Sequence, residues 1–157
     1  MLEPTADHRW RHTHMGNLMS RSLDRFDARV LTLMSRNEAV PLSLSNLAAR
    51  GQLTAAHVQI TRHLPVEGTR LTDLAARAGV TKQAMGKLVD QCEAWGLVRR
   101  TSDRLDARAR TVRFTPIGQA WLGAFQMAVA QAEDEMRQAI GVEVATVIAL
   151  GLEAYVG

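Results

Sequence analysis

The residue types that carry most protein chemistry are sparse in this chain and fall in few places. Its 157 residues include one cysteine, Cys92, and five histidines. His8, His12 and His14 crowd the N-terminal end, and the His8–His12 spacing would put two imidazoles on one helix face, as a zinc site can use. No cysteine or carboxylate at metal-site spacing accompanies them, so no metal and no cofactor is expected. His57 and His63 lie on different faces of one short helical stretch. Cys92 sits on an apolar stripe beside Asp90 and Glu93, neither of which would lower a thiol pKa, and it reads as a core thiol. There is no glycine-rich phosphate loop, no Gly-x-Ser-x-Gly elbow and no catalytic metal cluster. A non-enzyme is expected.

The remaining chemistry is cationic. Nineteen Lys and Arg against sixteen Asp and Glu give a net charge of +3. The excess is uneven: from Arg50 to Arg113 there are twelve basic and six acidic residues, whereas the two flanks together hold seven and ten. A basic middle between acidic ends suggests a polyanion-binding module whose flanks do something else. Arginine supplies seventeen of the nineteen positive charges. Its planar fork suits phosphates and base edges, although gene composition accounts for such a bias equally well.

These charges need elements to position them, and the pattern supplies a series of helices and one hairpin. Residues 1–16 have no period and read as an N-terminal arm. From Asn17 to about Asn37, Met19, Leu23, Phe26, Val30 and Leu33 repeat at helical spacing, and Val40-Pro41 stops the run. Ser43 or Ser45 can cap a short helix to Arg50, Thr54 one to Leu64, Thr72 one to Ala78, and Thr81 one to Trp95. The period then changes. Leu97–Arg100 and Arg110–Phe114 read as a β-hairpin joined by a charged tip. Thr115-Pro116 opens a helix to about Ile140 with Ile117, Trp121, Leu122, Phe125, Val129 and Ala132 inward. After Gly141, Val144, Val147, Ile148, Leu152 and Tyr155 share one face of a last helix. No apolar run reaches the ~20 residues of a membrane helix, and a lone cysteine with no secretory signal points to the cytoplasm.

Residues 72–91 have the internal spacing of a helix-turn-helix. Ala75 is small where two helices approach, Gly79 makes the turn, and Met85 and Leu88 anchor the second helix. Thr81 caps that helix, and Lys82, Gln83, Ala84 and Lys87 project from its N-terminal half, the part that meets base edges in this motif. A basic hairpin follows directly.

On these residues the chain resembles the MarR family of bacterial winged-helix transcription regulators. RLTDLAARAGVTKQAMGKLVDQCEAWGLVRR (70–100) is similar to that family's helix-turn-helix, and TSDRLDARARTVRFTPIGQAWL (101–122) to its wing and following helix. Asp103, Asp106, Arg108, Phe114-Thr115 and Gly118 match the wing pattern. Ser102 and Arg104 stand where prolines are common, and Ala107 where Arg or Gly is common. The resemblance implies a mainly α fold: a winged helix-turn-helix with a small β-hairpin wing and a helical dimerisation region. Residues 17–157 would form one domain, with 17–50 and 116–157 as dimerisation helices and 53–115 as the DNA-binding lobe.

The resemblance further implies a homodimer on double-stranded DNA, without membrane attachment. The helix opened by Thr81 would enter a major groove and Arg108 the adjacent minor groove, with Arg104 and Arg110 on phosphates. Gln83 can pair with adenine and Lys82 or Lys87 with guanine or phosphate. A repressor released by a small-molecule effector is expected. Phe26, Arg29, His57, Trp121 and Phe125 are candidate pocket residues for an aromatic acid, with core packing as the plainer reading of the aromatics. Two other functions compete: an architectural winged helix that coats DNA without ligand response, and a winged helix used as a protein-interaction module.

Overall fold

Local stop and cap signals account for most of the observed elements. The computed structural model describes residues 8–106 and 108–157. In chain order these form α1 (Trp10–Thr13), α2 (Met15–Ser35), α3 (Leu42–Ala49), α4 (Ala55–His63), β1 (Thr69–Arg70), α5 (Leu71–Ala78), α6 (Lys82–Ala94), β2 (Val98–Ser102), β3 (Arg110–Phe114), α7 (Pro116–Ile140) and α8 (Val142–Val156). Ala107 and the first seven residues of the expected arm lie outside the described residues. The rest of that arm is helical in part: Trp10–Thr13 forms a turn, and α2 begins at Met15 rather than Asn17. His14 is the reason, because its Nδ1 accepts the Asn17 backbone N–H at 3.2 Å.

Two caps differ from expectation. Proline 41 precedes α3 directly and no serine caps it; Ser45 is buried inside the helix. Helix α5 starts at Leu71 with Arg70 at its N-cap, so Thr72 is not the cap. Thr81 and Thr115 do cap α6 and α7, accepting the backbone N–H of Ala84 and Gly118.

The sheet has three strands in the order β1-β3-β2. The hairpin pairs Val98 with Phe114 through to Ser102 with Arg110. Strand β1 is an addition, pairing Thr69 with Val112 and Arg70 with Thr111. Two residues cannot display an alternation, so sequence pattern gave no sign of it.

The core joins α2–α6 to the sheet and α7. Val30, Met34, Leu44, Leu53, Leu74, Met85, Val89, Val98 and Val112 are buried among it. Two polar bonds cross this core beside each other. Buried Asp27 of α2 is bidentately bonded by Arg62 of α4, and the Trp121 indole N–H of α7 donates to Thr61 Oγ1 at 2.9 Å. At the start of α7, a Cβ on Gly118 would stand 1.9 Å from the Leu97 carbonyl oxygen. Only glycine permits this approach, which seats the long helix against the hairpin.

The long helices are covered along part of their length only. On α2 the inward stripe is Asp27, Val30 and Met34, whereas Met19 and Leu23 are exposed. Ile117 is exposed instead of inward, and the buried line of α7 runs through Gly118, Trp121, Ala124, Ala128 and Ala132, with Leu122, Phe125 and Val129 only partly buried. No residue of α8 is buried. No single helix among the described residues is long and apolar enough to cross a membrane.

Candidate nucleic-acid interface

The turn between α5 and α6 decides where the second helix points. Gly79 ends α5 at φ +66°, a left-handed conformation that a side chain would strain. Val80 follows, and Thr81 opens α6 with its Oγ1 accepting Ala84 N–H at 3.1 Å. Leu74 and Ala75 of α5 and Met85, Val89 and Cys92 of α6 are buried together in the core. Leu88 is partly buried against them.

This packing turns the other side of α6 outward. Thr81, Lys82, Gln83, Ala84 and Lys87 are all exposed, and a helix start leaves its first backbone N–H groups without intrahelical acceptors. The C-terminal half is committed to internal bonds. Asp90 and Glu93 both accept from Arg100 of β2 at 2.6 Å, and Glu93 also accepts the Arg100 backbone N–H at 2.9 Å. Burial disfavours the Arg100 charge, but its bonds to Asp90 and Glu93 prevail and raise its pKa; those to the Arg100 backbone and side chain hold Glu93 below the usual carboxylate range. Gln91 shares this commitment. Its Oε1 lies 2.8 Å from His57 Nε2 of α4.

The wing is shaped by its two aspartates. Asp103 accepts the Leu105 N–H at 2.9 Å and pairs with Arg70 of β1 at 3.1 Å, while Asp106 accepts the Arg108 N–H at 3.0 Å. The Leu105 N–H first, then Arg70, holds the Asp103 carboxyl below its ordinary range. Arg104, Arg108 and Arg110 are exposed around this tip. The DNA-facing residues read from sequence are therefore brought to two exposed places, the start of α6 and the wing tip. What sequence missed is the Arg70–Asp103 tether, which depends on the unpredicted strand β1.

Of the pocket residues read from sequence, Phe26 and Arg29 are brought together and His57, Trp121 and Phe125 are not. Phe26 and Arg29 line a cavity of about 500 Å³ between α2 and the end of α7, with Arg25, Glu135 and Met136. Glu135 holds Arg29 through two bonds of 2.7 Å, an ion pair that raises the arginine pKa and lowers that of the carboxyl. Trp121 is buried against Thr61, and Phe125 is partly buried in the core away from this cavity. His57 is a structural histidine: its Nδ1 accepts the Thr54 N–H at 3.0 Å, and its ring centroid lies 4.7 Å from that of Trp95. Accepting at Nδ1 leaves the neutral ring's proton on Nε2, facing Gln91.

Among the other chemistry-bearing side chains, Cys92 is buried, and burial pushes its thiol up to about 12. His14 spends its Nδ1 on the α2 cap. Among the described residues no group of three or more His, Cys, Asp or Glu could hold a metal ion.

A helix-turn-helix followed by a tethered hairpin and set between long helices defines a winged helix-turn-helix protein. Residues 59–109, from α4 to the wing, match the MarR family model. Over this segment the chain is similar to that family. No curated protein is significantly similar to it in sequence. Its fold is similar to that of the transcriptional repressor CouR bound to a 23-mer DNA duplex, at TM-score 0.68 and 20% identity over 94% of this chain and 96% of that one. The transcriptional regulator BldR of Sulfolobus solfataricus gives TM-score 0.65 and 23% identity over 98% and 97%. The Mycobacterium tuberculosis MarR family protein Rv2887, in complex with p-aminosalicylic acid, gives 0.63 and 19% over 92% and 100%. At these identities the likeness is one of fold.

Proposed function

We infer that the protein is a homodimeric, sequence-specific DNA-binding transcription regulator of the cytoplasm, a repressor released from its operator by a small ligand. The observation that carries this reading is the division of α6: its C-terminal half is tied to β2 and α4, and its N-terminal half presents Lys82, Gln83, Ala84 and Lys87 to solvent beside an arginine-bearing wing. Such a helix can enter a major groove while Arg108 reaches the minor groove next to it. The CouR complex supports the reading with a protein of like fold that binds a DNA duplex. The bare apolar side of α8 supports the dimer, since a second copy is the simplest cover for it. For the ligand, an aromatic acid is the expected class, as in the Rv2887 complex. In the cavity between α2 and α7, a ligand carboxylate would compete with Glu135 for Arg29, whereas Arg25 on the same wall makes no ion pair among the described residues.

Selection of bound duplexes from a random library tests the reading. The expected result is a pseudo-palindrome with half-sites roughly 10 base pairs apart. Gln83→Ala should relax preference at one base position, and Arg108→Ala should weaken binding to every sequence. Binding without enrichment would mark an architectural protein, and no binding with or without added aromatic acids would overturn the DNA assignment.

A further inference from the structure

The two faces of the small sheet treat their arginines differently. On the inner face, Val98, Val112 and Phe114 are buried, and Arg100 is neutralised by Asp90 and Glu93. On the outer face, Arg99 and Arg113 stand directly opposite each other in the β2–β3 register, and both are exposed. Like charges at directly opposed positions destabilise a hairpin. Among the described residues neither side chain makes a hydrogen bond or an ion pair; Arg113 acts on Asp103 only through space. Arg70 belongs to the same face, opposite Thr111, and is the one arginine there with a carboxylate, Asp103. The face thus retains uncompensated positive charge at a cost to the hairpin. It is also continuous with the wing tip, since Arg113 follows Arg108 by roughly 17 Å of extended chain at about 3.3 Å per residue.

We propose that this outer sheet face is a second phosphate-binding surface, on which Arg99 and Arg113 hold the backbone of duplex DNA flanking the half-site read by α6. The proposal rests on the DNA-binding reading above and extends the contact outward from the wing. The charge, the exposure and the continuity with the tip all favour a polyanion that lies along the wing. Two opposed arginines without acids would otherwise only weaken the hairpin that bears them.

Full-length protein carrying Arg99→Gln and Arg113→Gln together is compared with the parent and with the Arg99→Lys/Arg113→Lys double variant. Affinity is measured across a salt titration on the selected operator, once with long flanks and once trimmed to the half-sites. Each lost phosphate contact lowers the slope of log K against log salt by about 0.9, so the glutamine variant should lose about two per protomer on the long duplex. On the trimmed duplex its slope should match the parent's, and the lysine variant should retain the parent slope throughout. The glutamine variant's melting temperature should rise by roughly 1–3 °C as the opposed charges are removed, which separates lost contact from lost folding. An unchanged slope on the long duplex overturns the proposal and leaves the face to another partner, such as an acidic protein. An equal loss on both duplexes overturns the flanking assignment. Arg108→Ala serves as the control: if it too leaves binding unchanged, or the parent binds no duplex, the DNA-binding reading itself has failed.

Discussion

The lobe from α4 to β3 and the frame built from α2, α7 and α8 treat their apolar side chains in opposite ways. In the lobe, Val58, Ile60, Leu64, Leu74, Met85, Val89, Cys92, Leu97, Val98, Val112 and Phe114 are all buried within a single chain. In α8, Val142, Val144, Val147, Ile148, Leu150, Leu152, Tyr155 and Val156 are all exposed, and so are Met19 and Leu23 of α2. A water-soluble monomer has no reason to carry so continuous an apolar face. The lobe is finished by its own chain, and the frame is not. The division of labour agrees with the charge distribution: the basic middle forms the lobe, and the acid-rich flanks form the frame.

A charge placed on the bare face should break this contrast most forcefully. Ile148→Asp would bury an unpaired carboxylate in the proposed dimer contact, so sedimentation should find a monomer. Affinity for a two-half-site duplex should then fall on the order of 100-fold or more, because avidity is lost. Circular dichroism should show the helices retained, since α8 contributes nothing to the core of its own chain. A dimer that survives this change would refute the assignment of α8.

Gly118→Ala probes the seam between the two regions. The added methyl would meet the Leu97 carbonyl, which is backbone and cannot swing aside. A loss of about 2–3 kcal/mol in denaturant unfolding is expected, as for other overpacked sites. The parent stability would mean that α7 can tilt away from the hairpin at no cost.

The smallest effect belongs to the wing. Asp103 has a folded pKa below its ordinary value, so its tether is fully present at neutral pH and is lost as the pH falls through the depressed value. Amide exchange at Leu105 should quicken in acid, and at neutral pH in Asp103→Asn, while the Val98 and Val112 amides keep their protection. Loss of protection at all three positions together would show that the wing is not an independent unit.

Legibility in the sequence followed the range of the interactions. Gly79, Thr81, Thr115-Pro116 and Gly141 act within a few residues of themselves, and the elements they start or stop stand where expected. The outward residues of α6 were readable because an apolar stripe fixes its opposite. What the sequence did not announce has a different origin. Arg29 finds Glu135 across 106 positions, His57 finds Gln91 across 34, and Arg70 finds Asp103 across 33. No local pattern announces such partners, so the ion pair of the cavity-lining Arg29 and the Gln91 bond of His57 were not legible. Ile117 was placed inward by helical spacing, but the close seat of Gly118 rotates that turn and leaves the isoleucine outside.

The paired bonds Asp27–Arg62 and Thr61–Trp121 carry a consequence for motion. They fasten adjacent residues of α4 to the two long helices of the frame. Apolar contacts allow side chains to slip by small amounts, but these bonds are directional, and a displaced lobe would strand a buried carboxylate and an indole N–H. Gradual sliding is therefore closed to the lobe. It either moves as one piece with the α2 and α7 segments that hold it, or jumps to another arrangement in which both bonds are remade. Passage between such arrangements is a barrier crossing on the microsecond-to-millisecond scale, and the bonds it must break are gathered on one turn of α4.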